Sequence, residues 1–219
     1  MTKKYQRYAI YFAPRAGSDL AIFGRNWLGR DSETLEVDLA PNEYVDSPRH
    51  YGFHATLKAP MRLANGYSYS DVQKAVARLA RQLRPIELGQ LQLKRIGDFL
   101  ALVTSEERHP AVSDLAWACV TGLDYFRAEL SDAERNKRNN LSSTQKENLE
   151  KWGYPYVGDR FRFHMTLTSS LGEADLKCAW EALEHKVPIT QATIDSICIF
   201  GDPGNAMPFE LLERFDLSV

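Results

Sequence analysis

Two stretches of the sequence share one pattern, His54-Ala55-Thr56-Leu57 and His164-Met165-Thr166-Leu167. Each consists of a histidine, an apolar residue, a threonine and a second apolar residue. A single string of this kind is weak evidence, because short histidine and threonine patterns arise by chance in strands. Two such strings, each in a strand-like stretch of its own half of the chain, indicate a duplicated unit that carries chemistry.

The residues around both strings alternate as they would in β-strands, where successive side chains point to opposite faces. One predicted face is apolar, and the other holds the histidines and threonines. This second face has no carboxylate, although the chain has 29 Asp and Glu. A face that was only solvated would mix both signs of charge, so we expect a face that binds phosphate. Its members are His50, Gly52, His54, Thr56, Lys58, Arg160, Arg162, His164, Thr166 and Thr168.

The rest of the sequence predicts the same order of elements in both halves. Each motif strand is followed by a helix, at about 70–83 and 173–185, and then by two strands, at 86–94 and 99–104 or 188–200 and 209–217. We therefore expect an α+β fold, with two pseudo-symmetric lobes of antiparallel sheet and helices around a central groove. The predicted organisation is one bilobal domain over 1–219, with an internal repeat of approximately 1–108 and 109–219.

Further elements are predicted outside the repeated units. A strand over 5–12 leads to a helix that begins at Ser18 or Asp19 and continues to Trp27. Helical patterns also cover 110–130 and, as a solvated helix-loop-helix, 131–150. Pro60 is expected to mark the end of the first motif strand. A capping box at Ser70-Asp71-Val72-Gln73 is expected to begin the helix that follows it.

If the lobes pack about a pseudo-twofold axis, the motif strands face each other across the groove, with His54 and His164 on opposite sides of a phosphate. Histidine has an ordinary pKa near ~6.5, so one ring can act as base and the other as acid. Thr56 and Thr166 can donate hydroxyl hydrogen bonds to phosphate oxygens, and such donors help most as charge develops. The predicted catalytic residues are His54, His164, Thr56 and Thr166. The predicted substrate-binding residues are Lys58, Arg162, Arg160, His50 and Thr168.

Composition narrows the classes of protein further. A content of 44% hydrophobic residues in 219 provides for a real core, and a net charge of -2 argues against a partner such as long nucleic acid. Cys119, Cys178 and Cys198 form no C-x-x-C motif, which favours a reducing compartment and packing of the cysteines in the core. The opening residues are too polar and too short a run for a signal or a membrane span. We expect a cytoplasmic protein with a small phosphorylated substrate and no membrane partner; the oligomeric state is left open.

The paired motifs and the duplicated layout closely resemble the 2H phosphoesterase superfamily, which includes RNA 2′,3′-cyclic phosphodiesterases and 2′-5′ RNA ligase-like proteins. The strings RHYGFHATLKAP (49–60) and RFRFHMTLT (160–168) look like the branch described as phosphonate-metabolism proteins. The resemblance spans nearly the whole chain. It implies a LigT-like fold, catalysis by His54 and His164 with Thr56 and Thr166 as phosphate-binding partners, and no metal or cofactor. It also implies a metal-independent phosphoesterase of the cyclic phosphodiesterase type. The resemblance does not carry over a substrate; we expect a small cyclic phosphate or phosphodiester, and the setting of phosphonate metabolism suggests a sugar cyclic phosphate.

Two alternatives compete with this interpretation. A metal hydrolase could use His50 and His54, four apart on one predicted strand face, together with His164. This is the weaker hypothesis, because such sites usually recruit carboxylates and the motif strands have none. The other alternative is a non-catalytic module that binds a nucleotide or an RNA end, with bases stacked on Tyr8, Tyr11, Tyr154 or Tyr156. We expect specificity to depend on the loops 30–48 and 131–158.

Overall fold

A computed structural model describes residues 5–34, 42–136 and 140–218 of the chain. The elements of its first half are β1 (Arg7–Phe12), α1 (Asp19–Leu28), α2 (Asp46–Tyr51), β2 (Ala55–Met61), α3 (Tyr69–Ala80), β3 (Ile86–Gln90), β4 (Gln92–Ile96) and β5 (Phe99–Val103). Those of the second half are α4 (Pro110–Leu123), α5 (Asp132–Asn136), α6 (Ser143–Trp152), β6 (Met165–Thr166), α7 (Glu173–Leu183), β7 (Gln191–Ile194), β8 (Ser196–Asp202) and β9 (Glu210–Asp216). The predicted α+β class is confirmed.

Most strands belong to one seven-stranded antiparallel sheet with the order β4-β5-β6-β2-β1-β8-β9, and β3 pairs with β7 in a separate two-stranded sheet. The β4–β5 hairpin of the first half pairs with β6 of the second half. The β8–β9 hairpin of the second half pairs with β1 of the first half. The halves therefore exchange their hairpins. The residue boundaries of the internal repeat, 1–108 and 109–219, stay a prediction.

The two motif segments lie side by side in this sheet, which corrects the expectation that they face each other across a groove. Ala55 of β2 pairs with Met165 of β6 in antiparallel register. The pairing is short because β6 has only two residues and follows a 3-10 turn at Gly158–Arg160. Of the expected strand over 161–167, only Met165 and Thr166 form a strand.

The first motif segment also differs from its prediction, because a helix replaces the first part of the expected strand. Pro48 is tolerated in α2, since it lies in the first turn of the helix. Gly52 ends the helix with a φ of 79°, a conformation that favours glycine, and turns the chain into β2. His50 consequently lies on α2 and not on a strand face with His54. Pro60 lies inside β2, one residue before its end.

Local signals set several helix ends. The Ser18 hydroxyl accepts a hydrogen bond from the Ala21 amide, and Gly29 closes α1 with a φ of 64°. The capping box of α3 is formed by Ser68 with Asp71, and not by Ser70 as expected. Asp71 accepts from the Ser68 amide at 2.8 Å, because it lies three residues after that cap. The stretch 86–94, expected to be one strand, is divided into β3 and β4.

The apolar faces of the motif segments form the centre of the core. Phe53, Ala55 and Leu57 are buried, as are Phe163 and Met165 in the second segment. They pack with apolar residues of helices α1, α3, α4 and α7, so the sheet is covered along its motif strands. The alternation read from the sequence therefore places the core side correctly. Each buried residue fixes the opposite orientation of its histidine or threonine neighbour.

Two expectations from composition can be compared with the structure. Cys119 and Cys198 are buried, but Cys178 is exposed on α7, so the expectation that all three pack in the core is wrong for Cys178. No helix in the described segments is both long enough and apolar enough to cross a membrane.

Gly24 is a position where a single methyl group should disturb the fold. It lies in α1, and a Cβ there would be 2.1 Å from Cδ1 of Phe53, the neighbour of His54. We expect Gly24→Ala to lower the free energy of unfolding by about 1–3 kcal/mol, measured by urea denaturation. The matched control is Gly122→Ala in α4, whose Cβ would meet only Leu79 methyl groups at 3.9 Å. Equal effects of the two substitutions would contradict the close approach of α1 to Phe53.

Candidate functional site

The β2–β6 pairing brings the four motif residues together on one face of the sheet. Continuing the Ala55–Met165 register by one residue on either side places Thr166 across from His54 and His164 across from Thr56. Directly opposite residues of antiparallel strands have Cβ atoms about 4.5–5.5 Å apart. Within the first motif, Thr56 Oγ1 lies 3.3 Å from His54 Nε2. The two halves of the chain thus contribute one histidine and one threonine each to a single site.

Both histidines are held by the same hydrogen bond. His54 Nδ1 lies 2.8 Å from the carbonyl oxygen of Gly52, and His164 Nδ1 lies 2.9 Å from that of Arg162. A carbonyl oxygen only accepts, so Nδ1 donates and carries the proton of each neutral ring. Nε2 is then the unprotonated nitrogen of each ring. The repeated bond, made to the residue two positions earlier, gives both rings the same tautomer.

Burial favours the neutral form of both rings. Loss of solvation lowers the pKa of His54 to about 4; the hydrogen bond to Gly52 opposes this and the nearby His164 adds to it. Loss of solvation also lowers the pKa of His164, against the effect of its bond to Arg162. Tyr11, only 1% exposed, stacks on His54 with ring centroids 3.8 Å apart. The first ring is therefore enclosed and neutral near pH 7.

A buried arginine fixes the turn that leads into His54. Arg30 is 2% exposed and donates from Nη1 to the carbonyl oxygens of Arg49 and His50, at 3.0 and 3.2 Å. Its Nη2 donates to the carbonyl oxygen of Phe209. These bonds satisfy the last carbonyls of α2, which would otherwise have no partner inside the helix. Arg30 thus holds the end of α2 just before Gly52, whose carbonyl orients His54.

A groove of about 460 Å³ opens beside the paired motifs. Thr56 and His164 line it, and His54 adjoins it through the bond to Thr56. The walls come mainly from α4, the end of α6 and the segment that follows α6. Most of its lining is apolar or aromatic, and none of the described residues that line it is Asp or Glu. Its aromatic residues are Phe99, Trp117, Trp152, Tyr154, Tyr156 and Phe161.

The predicted substrate-binding residues have different surroundings. Lys58 lines the groove, but it is 3% exposed and its ammonium donates to Asp124 at 2.9 Å and to the Val120 carbonyl at 3.2 Å. Thr168 is buried, and its hydroxyl accepts a hydrogen bond from the Leu100 amide. The structure therefore gives Thr168 a packing role and ties Lys58 into an ionic network.

The two predicted arginines lie at the outer edge of the groove. Arg160 and Arg162 both line it and are exposed. Arg162 forms an ion pair with Glu107 at 3.0 Å, and since both side chains are largely exposed this pair is weak. Both side chains therefore lie at the solvent-exposed rim of the groove. Their contact with a substrate stays a prediction.

His50 is separated from the site by its place on α2. Its ring packs edge-on against Tyr51 and Phe209, with centroids 4.9 and 5.6 Å away. It is not part of the recorded groove lining, and a role in substrate binding stays a prediction. The metal hypothesis required His50 and His54 on one strand face, and that premise is wrong. Among the described residues, no cluster of three or more His, Cys, Asp or Glu side chains is placed to hold a metal ion.

Sequence reasoning missed several residues of the site. Tyr154 and Tyr156 were candidates for stacking and do line the groove, whereas Tyr8 and Tyr11 are buried in the fold. Trp117, Trp152 and Arg127 were not anticipated. They come from α4, from the end of α6 and from the segment after α4, which no motif links to the histidines. The one usable signal is the aromatic run from Trp152 to Tyr156, which is dense for a loop.

A family model described as "Protein of unknown function (DUF1045)" matches residues 56–210. Two curated relatives are both named "Ribose 1,5-bisphosphate phosphokinase PhnN". The protein of Janthinobacterium sp. (strain Marseille) is 33% identical over 97% of this chain and 51% of its own length. That of Laribacter hongkongensis (strain HLHK9) is 32% identical over 94% of this chain and 50% of its own length. The chain thus spans about half the length of these relatives.

The fold is shared with a solved structure, TT0787 of Thermus thermophilus. The match covers 96% of this chain and 97% of that one, with a TM-score of 0.52 and 15% identity. LigT of E. coli complexed with NADP+ gives a TM-score of 0.49 and 14% identity, over 99% of this chain and 100% of that one. The match to TT0787 shows that this chain shares its fold with a solved structure.

The hydrogen bonds and burial of the two rings predict their protonation. We expect His54 to stay neutral, with its proton on Nδ1, from pH 7 down to about 5, because its pKa is lowered to about 4. The measurement is a pH titration of ring ¹⁵N chemical shifts, assigned with His54→Gln and His164→Gln. The exposed His185 is the internal control for an unburied ring. A protonated His54 at pH 6, or a proton on Nε2, would contradict the geometry.

The same shift has a consequence for stability. The unfolded His54 ring titrates near ~6.5 and the folded ring at about 4, so protons bind preferentially to the unfolded chain between these values. The stabilising contribution is complete above pH 6.5 and is lost as the pH falls toward 4. In urea denaturation, the wild type should lose more stability than His54→Gln between pH 7 and about 4.5. An equal loss would show that the ring is not desolvated.

Proposed function

We propose that this chain, which belongs to the DUF1045 family, is a phosphoesterase that opens a small cyclic phosphate with His54 and His164 as general base and acid. The observation that carries the proposal is the matched pair of rings. Each ring is fixed through Nδ1, in adjoining strand segments, at a groove whose recorded lining has basic residues and no carboxylate. A binding protein would have no need for two rings with one tautomer.

The reaction would proceed by attack of water on phosphorus. Nε2 of one neutral ring takes a proton from water as the new P–O bond forms. The other histidine, protonated at Nε2, gives its proton to the bridging oxygen of the cyclic phosphate as the old P–O bond breaks. The product is a phosphate monoester beside a free hydroxyl group. The negative charge of the substrate would favour the protonated form of the acid and offset the effect of burial on its pKa.

We assign the base to His54 and the acid to His164. His54 is the more enclosed ring, stacked on Tyr11, and its pKa is lowered to about 4, so it is unprotonated at working pH. The Thr56 hydroxyl, 3.3 Å from Nε2, can donate to that free nitrogen. His164 lines the groove, where a bound phosphate would be its nearest anion. The two rings thus differ in their surroundings, which suits them to different roles.

The threonines would stabilise the charge that develops on phosphorus oxygens. Thr56 lines the groove, and Thr166 is held in the sheet by its pairing with Ala101. When a substrate is bound, the Thr56 hydroxyl can turn from His54 to a non-bridging oxygen. A preorganised donor of this kind contributes about 3 kcal/mol to the transition state.

A ribosyl phosphate is the substrate class that the relatives favour. Both are named for a kinase that acts on ribose 1,5-bisphosphate, and this chain covers about half of each. The chain has no phosphate loop of the form G-x-x-x-x-G-K-S/T, so it carries no such signature for the kinase step. A phosphoesterase that opens a sugar cyclic phosphate would supply a phosphorylated ribose to such a kinase. Phosphonate metabolism is the setting that the sequence resemblance implies.

The aromatic walls favour a second substrate, a nucleoside 2′,3′-cyclic phosphate. Trp117 and Trp152 meet edge-to-face at 5.1 Å, and Tyr154 and Tyr156 do so at 5.6 Å, all on the groove. Faces of this kind can stack on a base. The same two histidines would serve either substrate, so the two candidates differ in what the walls hold.

A screen in the presence of EDTA tests the proposal directly. Ribose 1,2-cyclic phosphate and nucleoside 2′,3′-cyclic phosphates are given to the wild type, to His54→Ala and to His164→Ala. We expect each substitution to lower kcat/KM by about 10²–10⁴, because each removes one proton-transfer group. His185→Ala, which removes an exposed histidine at the end of α7, should retain full activity. Activity that survives both site substitutions would overturn the mechanism. Wild-type activity that is present without EDTA and absent with it would favour a metal site.

The assignment of acid and base has its own test. A 4-nitrophenyl phosphodiester has a leaving group that needs no proton at neutral pH, so the acid is dispensable for it. We expect His164→Ala to lose far less activity on this substrate than on a cyclic phosphate, while His54→Ala loses as much on both. The reverse pattern would exchange the two roles. Equal losses by both variants on both substrates would contradict any division of labour.

A further inference from the structure

An ionic network lies in the wall of the groove, beyond the motif residues. Lys58 donates to Oδ1 of Asp124 at 2.9 Å, and Arg127 donates to both oxygens of the same carboxylate at 2.9 Å. Arg127 also donates to the Lys151 carbonyl at 2.9 Å. Lys58 and Arg127 line the groove, whereas Asp124 lies behind them and is not part of the recorded lining. The cations are thus on the ligand side and the carboxylate is on the protein side.

The network carries more positive than negative charge. Two cations share one carboxylate, and their side chains are only 3% and 14% exposed, so solvent compensates little of the excess. Burial lowers the pKa of the Lys58 ammonium in spite of its bond to Asp124. A buried charge without a counterion is costly unless a ligand supplies one. Arg127 makes its hydrogen bonds to other described residues through Nε and Nη2, so Nη1 can donate to an anion.

The position of this network separates it from the reacting phosphate. Lys58 follows Thr56 by two residues on β2, which is about 6.7 Å along a strand. Its ammonium donates to Asp124 and to the Val120 carbonyl of α4, and not to a motif residue. The ammonium thus lies on the α4 side of the groove. The groove extends past it, and its volume of about 460 Å³ exceeds what a cyclic phosphate alone would fill.

We propose that Lys58 and Arg127 form a second anion site, which binds a non-reacting phosphate monoester on the same substrate. This inference rests on the proposed phosphoesterase activity and names its substrate class, a cyclic phosphate that carries a further phosphate about one sugar ring away. A phosphate monoester fits because its doubly charged oxygens can accept from an ammonium and a guanidinium at once. Asp124 positions both cations before the substrate arrives.

The test compares matched substrates with and without the second phosphate. One pair is ribose 1,2-cyclic phosphate and its 5-phosphate; the other is a nucleoside 2′,3′-cyclic phosphate and its 5′-phosphate. We expect the wild type to prefer the phosphorylated member of at least one pair by about tenfold to a hundredfold in kcat/KM, the usual effect of a charged hydrogen bond. The pair that shows the preference identifies the scaffold, a bare sugar or a nucleoside.

Two substitutions test whether Lys58 and Arg127 cause the preference for the substrate with the second phosphate. Lys58→Met keeps the length of the side chain and leaves Asp124 with Arg127, while Arg127→Met leaves Asp124 with Lys58. We expect each to lower the preference about tenfold, and thermal unfolding identifies any variant that fails to fold. Arg95→Gln is the matched control, because it removes an exposed cation of β4 that pairs with Glu173 of α7. It should keep the wild-type preference for the phosphorylated substrate.

The outcomes separate this inference from the proposed function. If the wild type opens both members of each pair equally well, the phosphoesterase stands and the second anion site is wrong. If the preference exists but survives both substitutions, Lys58 and Arg127 do not form the site. If no cyclic phosphate is opened, calorimetry with ribose 5-phosphate decides. Binding that both substitutions weaken about tenfold supports the site, and binding that is absent or unchanged overturns it.

Discussion

The pairing of Ala55 with Met165 joins two segments from opposite halves of the chain, and the candidate site depends on it. Because strand side chains alternate, this one register places both histidines and both threonines on the open face of the sheet. A shift by one residue in either strand would bury a histidine and expose core. Burial of the apolar neighbours Phe53, Leu57 and Phe163 therefore stabilises this register, and with it both the fold and the site.

Electrostatics in the site follow from where solvent is excluded. The enclosed rings of His54 and His164 are kept neutral, with the same nitrogen of each bound to a backbone carbonyl. Burial also lowers the pKa of the Lys58 ammonium, and the ion pair with Asp124 opposes that shift. In the proposed mechanism, the two rings would transfer protons once an anion is bound, and the cations would be in place before it binds.

The sequence predicted the α+β class, the helices α1, α6 and α7, and the side of each motif segment that carries its histidine and threonine, because local periodicity and repeated motifs determine these features. It failed where tertiary contacts decide. The stretch before His54 alternates like a strand, yet Arg30 captures its carbonyls and makes it the end of a helix. Lys58 was placed on the polar face by the alternation of the first motif. Its partner Asp124 is distant in the chain, so no local pattern predicts their ion pair. Trp117 and Trp152 of the groove wall were missed for the same reason.

The exchange of hairpins between the halves also constrains how the chain can fold. The β4–β5 hairpin completes its sheet only through β6, and the β8–β9 hairpin only through β1. A single half would leave open strand edges that invite association with other chains. Neither half is therefore an independent folding unit, and sheet formation must await residues far along the chain, which slows folding. The two halves of the chain thus form complementary parts of one sheet, much as two interlocked subunits would.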